Sequence, residues 1–502
     1  NFSVVVRDNI IEQVDSDAID FYNFTTSALG EATILIEGNE FDHSESNLIY
    51  FEDREPDTAS ANEGGTISIT IRENFVNGGD DVIDGNLCPS PNGVLTFEIL
   101  DNDIPHSHRD FIDVDFSEVN GTSAAGETSG TLDLRIEGNT ATSAASDLVD
   151  FDISAFGPDC RVVFANNVFG TSADEGVRIN IQSHDEGAGE LDLILFNNDI
   201  SDIEDTNLQV WNDADADDLV NVYVGNNTLL NNLQSESMDL RGSPTTLTLI
   251  SRNAIGYSDT DGDSALDINT EQGALGSMLI RNNVFSGASG HGINSFPGAQ
   301  IINNTVVWNS ILDDEGGISS WVELGDYAQL YVRNSIVSDN GGFDLVSLPL
   351  QRAQYSLIGE ADQALGYETF TGAPNFVTAI DRYDFNTFFA LAPSSPAIDA
   401  GDPDPLFNDP DGTRNDLGAF GGPGAGTIGY LGLSTPVPLE VIGVRPMAQL
   451  YDGHHLLEPT QPLTIVFTRD VDETSVNATN ISISNDSGAI AGAFEVDGNS
   501  VT

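Results

Sequence analysis

One short phrase recurs along this chain, and it constrains the fold more than any other feature of the sequence. In each copy an alternating apolar segment runs into an asparagine, and another apolar residue follows one or two positions later. The twelve copies have their asparagines at Asn9, Asn39, Asn74, Asn102, Asn139, Asn167, Asn198, Asn227, Asn253, Asn283, Asn304 and Asn334. The distances between them fall within roughly 20 to 45 residues, the range that is typical of solenoid repeats.

A second short apolar segment follows each copy, for example LVDFDI after Asn139 and ALDINT after Asn253. Two strands with a turn between them, repeated at variable spacing, predict coils that stack so that like strands pair in parallel. Apolar residues at helical spacing are absent from the same stretches of sequence. We therefore predict an all-β chain whose residues 1–360 form a right-handed parallel β-helix, a solenoid.

The asparagines of this repeat have a structural explanation. Asparagine tolerates the left-handed backbone conformation that a sharp turn between strands requires, and its side chain can bond its own backbone. Identical asparagines on successive coils can also bond one another along the stack. We therefore interpret the twelve asparagines as a structural column rather than as catalytic residues.

The charge of the chain is strongly negative, with 81 acidic residues against 16 basic ones and a net charge of -65. All of the basic residues are arginines. Such a surface repels nucleic acid and anionic membranes, which excludes both as default partners. Self-repulsion of this size is tolerable where salt at about molar strength screens charges to within ~3 Å. The composition therefore predicts a halophilic protein, and an acidic secreted protein that binds Ca²⁺ is a compatible alternative.

Cysteine content and hydropathy agree with an exported protein. Only Cys88 and Cys160 are present, so one disulfide between them is possible but is not required. No apolar run reaches the ~18 residues that a membrane-spanning helix needs, and we predict no membrane insertion within this segment. Residue 1 opens into a strand-like segment, so we expect either that a signal peptide has been removed or that the chain is part of a longer protein.

The repeat resembles the pectin-lyase-like β-helix proteins, and residues 391–422 sharpen the resemblance. In that stretch the phrase SPAIDAG precedes an aspartate-rich D-x-D-G-x-R loop and a closing GAFGG. This arrangement is similar to the tail of secreted β-helix proteins of the choice-of-anchor Q type. The resemblance implies export and either attachment to the cell surface or release. It also implies that residues 361–436 form a C-terminal cap, an Asp-rich loop and a glycine-rich linker.

Residues 437–502 read as alternating strands joined by turns. They resemble the bacterial Ig-like module of surface-layer proteins, in which the phrases P…DG, F…VD…S and DG…VT recur in this order. The resemblance implies a β-sandwich, and such modules normally include several more strands. We therefore expect an incomplete Ig-like β-sandwich here, which a longer parent chain or a neighbouring molecule would complete.

Aspartate-rich loops are the best candidates for a ligand site, because Ca²⁺ takes about six to eight oxygen ligands from carboxylates and carbonyls. With Ca²⁺ as the cofactor, the predicted ligands are Asp402, Asp404, Asp409, Asp411, Asp416, Asp259, Asp261, Asp263 and Asp267. The last four begin like an EF-hand, although the glycine comes too early and Thr270 stands at position twelve. The run of aspartates over 213–218 is a weaker candidate, and a solvated acidic loop is the alternative interpretation for all three groups.

Motifs for catalysis are incomplete, and we assign no catalytic residue. Residues 290–292 read Gly-His-Gly, which is similar to a motif of β-helix polygalacturonases, but those enzymes also need an Arg-x-Lys and this chain has no lysine. An arginine can act as the base in resembling lyases. Here the arginines near the repeat asparagines are better explained as partners of carboxylates on the next coil. They are Arg252, Arg281 and Arg333.

Histidines and tryptophans leave two further possibilities open. His106 and His108 flank a serine and could bind a metal, but two histidines without a third ligand are weak evidence. A glycan-binding protein would show an exposed row of aromatic side chains. The candidates for such a row are Trp211, Trp308 and Trp321, and ordinary packing explains them equally well.

Three classes of function are compatible with these observations. We favour an extracellular structural or adhesive component of the cell surface or matrix, whose partners are other copies of itself or surface polysaccharide. A polysaccharide lyase or hydrolase on the same scaffold is the first alternative, and it rests on fold analogy. A glycan-binding module without catalysis is the second. Strand edges at the end of a β-helix recruit other chains unless they are capped, so head-to-tail assembly is a further expectation.

Overall fold

The structure is a computed structural model of the chain. It describes residues 1–502 except for 23–29, 53–63, 88–92, 117–129, 155–156, 158, 183–188, 215–217, 244, 259–262, 270–276, 296–298, 311–315, 321–329, 347–351, 361–365, 367, 378–382, 433, 446–449, 452–453, 456–461, 478–482, 486–487 and 491–493.

The first 360 residues form a parallel β-solenoid of the right-handed type, in which each coil contributes one strand to each of three long sheets. The first sheet contains Phe2–Arg7, Gly30–Glu37, Gly65–Arg72, Val94–Leu100, Thr131–Glu137, Cys160–Ala165, Glu190–Phe196, Leu219–Gly225, Leu247–Ser251, Ser277–Arg281, Gln300–Ile302, Tyr331–Arg333 and Arg352–Gln354. The second contains Ile10–Val14, Glu40–Ser44, Phe75–Asn77, Asp103–His106, Thr140–Ser143, Val168–Thr171, Asp199–Ser201, Thr228–Leu230, Ala254–Gly256, Val284–Ser286, Thr305–Val307, Ile336–Ser338 and Leu357–Ile358. The third contains Ile19–Tyr22, Ile49–Glu52, Ile83–Asn86, Ile112–Phe116, Val149–Ile153, Val177–Gln182, Leu208–Asp213, Met238–Arg241, Leu266–Asn269, Ile293–Ser295, Gly316–Ser320 and Phe343–Leu345.

The solenoid has three strands per coil where the sequence predicted two. The residues after each repeat asparagine form a strand of their own, because a left-handed residue just before the asparagine turns the chain into the second sheet. The first and second sheets contain 13 strands each, one more than the twelve predicted copies. The additional coil contains Arg352–Gln354, and its phrase lacks the asparagine by which the copies were aligned.

The core of the solenoid is a continuous apolar column that the three sheets enclose. Within each strand alternate side chains point inward, as in Val149–Ile153, where both valine and isoleucine are fully buried and the aspartates between them are not. Phenylalanine rings from different coils and sheets contact one another in this column, with ring centroids 5.3 to 6.1 Å apart. These rings belong to Phe21, Phe51, Phe97, Phe116 and Phe151.

A ladder of buried asparagine side chains lines the corner between the first and second sheets. Asn198 represents its members: the backbone N–H and Nδ2 both donate to Oδ1 of Asn227, each over 2.9 Å, and Nδ2 also donates to the carbonyl of Phe164. The same double donation to Oδ1 links every predicted asparagine from Asn9 to Asn283 to the asparagine on the next coil, and Asn304 is the last acceptor.

Two details of the predicted column are corrected. The left-handed backbone conformation belongs to the residue before each ladder asparagine, for example Asn197 with φ +57° before Asn198. Asn334 is itself one of these left-handed residues, so it lies beside the ladder rather than in it. Ser335 takes the ladder position instead, and its Oγ accepts a hydrogen bond from the backbone N–H of Asn304 over 3.1 Å.

Beyond the last coil the chain turns back along the solenoid. It forms a short helix, Phe385–Phe388, and a 3-10 turn, Pro405–Phe407. Residues 415–432 and 434–435, here called the return segment, then run along the left-handed residues that precede the ladder positions. Their backbone is held by Asn334, Asn303, Asn282, Arg252, Asn226, Asn197 and Asn166, one residue from each of seven coils.

Glycines allow the return segment to approach the solenoid this closely. A Cβ atom on Gly424 would lie 2.5 Å from Oδ1 of Asn282, and Gly422 has φ +75°, where side chains are strained. The glycine-rich stretch that the sequence suggested as a linker is therefore a packed element.

The C-terminal residues form a small antiparallel sheet in the order Val441–Arg445, Thr464–Phe467, Ser500–Val501 and Val496–Asp497. Two further pairs are Leu450–Tyr451 with His454–His455 and Ile483–Asn485 with Gly488–Ile490, and a 3-10 turn spans Glu473–Ser475. Ile442 and Val466 of this sheet pack on outward-facing residues of the first solenoid sheet, including Phe196 and Leu249. The antiparallel sheet thus covers an apolar flank of the solenoid.

Candidate functional site

The third sheet presents carboxylates on its outer surface, and these are aligned from coil to coil. Asp84, Asp113 and Asp150 occupy one register position on successive coils, and Asp115 pairs with Asp152 two residues further along. Because neighbouring strands lie about 4.8 Å apart, Asp113 has a carboxylate about one strand spacing away on each neighbouring coil, and Asp115 and Asp152 face each other in the same way.

The turn that precedes the third sheet adds a second column of acidic residues. Asp81, Asp110 and Asp147 are almost fully buried, and Glu175 follows them on the next coil. Backbone N–H groups hold them in place, since Asp110 donates to Oδ1 of Asp81 over 3.1 Å and Glu175 donates to Oδ1 of Asp147 over 2.8 Å. We call these two columns together the acidic face.

Three carboxyl groups of this region lie especially close together. Ligand oxygens of Asp147, Asp174 and Glu175 are all within 4.8 Å of one another, and no other such group of three or more potential metal ligands occurs in the described part of the chain. Arg178 balances part of the charge, because its guanidinium donates to Asp150 and lies 3.8 Å from Asp147. The group could bind a cation or share a proton.

Burial and mutual repulsion raise the pKa values of these carboxyls. Burial raises the pKa of Asp113 to about 7, and the neighbouring carboxylates of Asp150 and Asp110 add to the shift. Burial likewise raises the pKa values of Asp84 and Asp110 to about 6. The pKa of Asp147 is raised by burial and by the adjacent Glu175 carboxyl. The acidic face therefore holds its negative charge at an energetic cost that bound cations or protons would reduce.

The acidic face could have been predicted from the sequence, although none of the motifs in the sequence analysis indicated it. The segments after the repeat asparagines read VIDGN, FIDVDF and LVDFDI, with aspartate after the first apolar residue or pair. If these segments are aligned on their first two apolar residues, rather than on the repeat asparagine, the aspartates that follow fall in one column.

The predicted ligands in the Asp-rich loop serve as acceptors for backbone N–H groups. Oδ1 of Asp402 accepts from the N–H of Asp404, and both oxygens of Asp409 accept from the N–H of Asp416. Asp411 accepts from the N–H and hydroxyl of Thr413. Asp404 similarly accepts from Leu406, and Asp416 from Asp399. These bonds shape the loop, and they do not bring three of its carboxylates within 4.8 Å of one another.

The other predicted metal ligands are only partly described. Asp259 and Asp261 lie outside the described residues. Asp267 belongs to the outer surface of the third sheet, where its carboxylate accepts from Nδ2 of Asn294 over 2.7 Å. The backbone N–H of Asp263 donates to Ser289. The prediction of Ca²⁺ at these residues and in the Asp-rich loop stays a prediction.

The arginines that the sequence associated with lyase chemistry bind carboxylates of the C-terminal part of the chain, not of the next coil. Arg252 and Arg281 both donate to the nearly buried carboxylate of Glu440, the latter over 2.7 Å. Arg333 lies 3.6 Å from Asp402. These contacts attach the C-terminal segments to the solenoid.

A column of left-handed residues follows the second sheet and builds a groove. The strand ends from Ser201 to Val307 are in register, so the residues after them lie above one another. These residues are Asp202, Asn231, Tyr257, Gly287 and Trp308, all with φ between +57° and +80°. Such a conformation costs an aromatic residue about 1 to 2 kcal/mol, which the surrounding packing must offset.

The groove is lined by aromatic rings and by one polar pair. Tyr257 and Trp308 face Tyr383 and Phe388, which come from the segment after the last coil, around a cavity of about 570 Å³. A Cβ atom at Gly287 would lie 2.4 Å from the ring of Tyr257, so the glycine leaves space for that ring. At one end Nδ2 of Asn231 donates to Oδ1 of Asp202 over 2.9 Å, and these two residues also line the cavity.

Trp211 does not join this groove. Nε1 of Trp211 donates to Asp239 over 2.7 Å, and the guanidinium of Arg241 stacks 3.7 Å from its ring centre, so Trp211 belongs to the outer surface of the third sheet. Trp321 lies outside the described residues.

Comparisons with known proteins do not add a family assignment. No protein-family model, no curated protein and no solved structure matches this chain. Across the described residues, no helix combines the length and the apolar character that crossing a bilayer requires.

Proposed function

We propose that this chain is a structural or adhesive component of an extracellular surface or matrix, and that salt and Ca²⁺ stabilise it. The observation that carries the proposal is the acidic face, whose carboxylates stack in register over several coils. Two unit charges at about 4.8 Å repel by about 1 kcal/mol in bulk water and by several times more near a protein surface. A protein with such a face is suited to a medium that is rich in cations.

We further propose the finer family assignment that the sequence suggested. The solenoid would belong with the pectin-lyase-like proteins of the choice-of-anchor Q type, and the C-terminal antiparallel sheet would belong to an Ig-like module. The phrase SPAIDAG and the antiparallel pairing of Val441–Arg445 with Thr464–Phe467 support this proposal. Surface-layer modules of this kind fit an assembling protein.

Size and shape in solution test the structural proposal. Scattering and electron microscopy of the full chain at about 1 M NaCl, with Ca²⁺ or with a chelator, should show ordered multimers only with Ca²⁺. The double variant Asp113→Asn/Asp150→Asn should need more Ca²⁺ for the same assembly. Glu473→Gln, which removes an exposed charge from the C-terminal part of the chain and not from the acidic face, should behave as the original chain. Single particles under every condition would contradict the proposal.

Binding of a neutral glycan is a second candidate function, and the aromatic groove favours it. Aromatic rings offer flat apolar surfaces to sugar rings, and a carboxylate beside an amide can bond paired hydroxyls. The net charge of -65 opposes a polyanionic glycan, so a neutral one fits better.

Tryptophan fluorescence tests glycan binding directly, because Trp308 lines the groove. A binding oligosaccharide from a neutral-glycan panel should change the emission of the full chain and not that of Trp308→Phe. Tyr383→Ser should weaken binding by at least about tenfold, since a single lost stacking contact is worth about 1 kcal/mol or more. Tyr22→Ser, which changes another exposed tyrosine, is the control. Equal binding by both tyrosine variants would exclude the groove as the site.

A further inference from the structure

Three of the seven histidines of the chain come together on the outside of the second sheet. His43 lies in the strand Glu40–Ser44, His106 ends the strand Asp103–His106 two coils later, and His108 follows it. The ring centres of His106 and His108 are 5.2 Å apart, and those of His43 and His108 are 5.9 Å apart. The sequence suggested His106 and His108 as possible metal ligands. The fold adds His43 as the third imidazole that this pair lacked.

A glycine on the intervening coil lies next to two of the histidines. Gly78 is placed between His43 and His108, and a Cβ atom built on it would lie 3.8 Å from Cα of His43 and 3.8 Å from Cε1 of His108. Both distances are van der Waals contacts, so Gly78 lies directly against His43 and His108. Its φ of +86° also favours glycine at this position. The intervening coil therefore leaves the space between the histidines open.

The distances between the rings fit shared coordination of one metal ion. With a metal–nitrogen distance of about 2.0 to 2.1 Å and tetrahedral angles, the centres of two coordinating imidazoles lie about 5 Å apart. The two observed distances, 5.2 Å and 5.9 Å, are close to this value. The nitrogens themselves do not all lie within 4.8 Å of one another, so the side chains must rotate to meet an ion. All three are exposed, and exposed side chains rotate readily.

One of the rings is already oriented by a neighbour. Nδ1 of His106 is 2.9 Å from Oγ of Ser143 on the next coil. Histidines that bind metals usually bond a second group through their other ring nitrogen, which fixes the ring and leaves Nε2 for the metal. The net charge of the chain would also raise the local concentration of cations.

We propose that His43, His106 and His108 form a binding site for a first-row transition metal ion such as Zn²⁺ or Co²⁺, with water or a further ligand completing the coordination. This site goes beyond the proposed structural function. Imidazole suits these ions, whereas Ca²⁺ and Mg²⁺ prefer the oxygen ligands of the acidic face. The two kinds of binding can therefore be separated by the choice of ion.

Titration of the full chain with Co²⁺ tests the site. At about 1 M NaCl with about 10 mM CaCl₂, which occupy the carboxylates, one Co²⁺ should bind with the visible absorption of nitrogen coordination. His43→Asn removes one ligand, and asparagine tolerates the φ of +60° at this position. We expect affinity to fall at least about tenfold in His43→Asn and in His108→Asn.

Gln13→Asn is the matched control, because Gln13 occupies the position of His43 on the preceding coil and has φ +53°. It should bind Co²⁺ as the original chain does. Thermal melting of each variant without metal separates a lost ligand from a lost fold. The proposal is overturned if the original chain binds no Co²⁺ under these conditions, or if both histidine variants fold and bind it unchanged.

Discussion

Single asparagine side chains connect the coils of this protein in a way that backbone pairing alone does not. Each ladder amide donates to a carbonyl and to the next amide, and its oxygen accepts two hydrogen bonds from the previous coil. From Asn39 to Asn304 the ladder asparagines are buried, so these groups cannot exchange their partners for water. The cost of losing one member is therefore the cost of several unsatisfied groups.

We predict that Asn198→Ala lowers the free energy of unfolding by about 3 kcal/mol or more. The substitution leaves the backbone N–H and Nδ2 of Asn167 and the carbonyl of Phe164 without their present partner, and each unsatisfied buried group costs about 1 to 3 kcal/mol. Urea unfolding followed by circular dichroism measures the effect. Asn77→Ala removes an exposed asparagine that bonds Asp42, and it should change stability by less than about 1 kcal/mol. Equal losses in the two variants would show that the ladder has no special role.

The acidic face makes a prediction about pH. The pKa of Asp113 is about 7 in the folded protein, against about 4 in an unfolded chain, so the folded state binds more protons between these values. Stability should therefore fall as pH rises from about 4 to 7. In low salt the melting temperature should be higher at pH 5 than at pH 8, and Asp113→Asn should reduce the difference. Glu473→Gln should leave it unchanged, and a melting temperature that rises with pH would contradict this account.

At the scale of elements, the C-terminal sheet and the solenoid stabilise each other. Outward residues of the first sheet such as Phe196, Tyr223 and Leu249 are buried because the antiparallel sheet covers them. Around this apolar contact, polar groups fix the position of the sheet, since Arg445 donates to Asn221 over 2.6 Å and Asn499 donates to Asp192 over 2.8 Å. The contact has the composition of a domain interface with an apolar centre and a polar rim.

Glu440 is the residue on which this attachment should depend most. Its carboxylate is only 9% exposed and lies between Arg252 and Arg281, so Glu440→Gln would leave two partly buried guanidinium groups without a counter-charge. We predict faster hydrogen exchange over Val441–Arg445 in this variant. Asp470→Asn breaks an ion pair with Arg161 whose carboxylate is 75% exposed, and it should have little effect. If hydrogen exchange is unchanged in Glu440→Gln, the apolar contact alone stabilises the attachment of the sheet.

At the scale of the whole molecule, the sequence predicted the solenoid because its signal is local and repeated. Each asparagine follows an alternating apolar strand, so one coil is enough to identify the next. The strand that each coil contributes to the second sheet was missed because it is short and follows the asparagine directly, as in Thr228–Leu230. The ladder positions of Ser335 and Ser356 were missed because serine replaces the residue that defined the repeat.

Surface sites depend on which side chains the coils bring together, and this is less visible in the sequence. Two strands of the first sheet, one of the second and two of the third separate His43 from His106 along the chain, and only the coil length brings both histidines next to His108. The path of the return segment was equally hidden, because glycine-rich sequence is typical of both linkers and close packing. The Asp-rich loop was conspicuous in the sequence, yet its carboxylates bond their own backbone.

The return segment also determines how the rod should respond to tension. Hydrogen bonds between coils lie along the rod, so a force that pulls its ends apart acts directly on them. Between the coils of Asn166 and Asn334 the same force must also break a covalently continuous segment away from each coil in turn. That part of the rod should be its stiffest under load, and mechanical rupture should begin in the coils before Asn166, where no described hydrogen bond from the return segment reinforces the contacts between neighbouring coils.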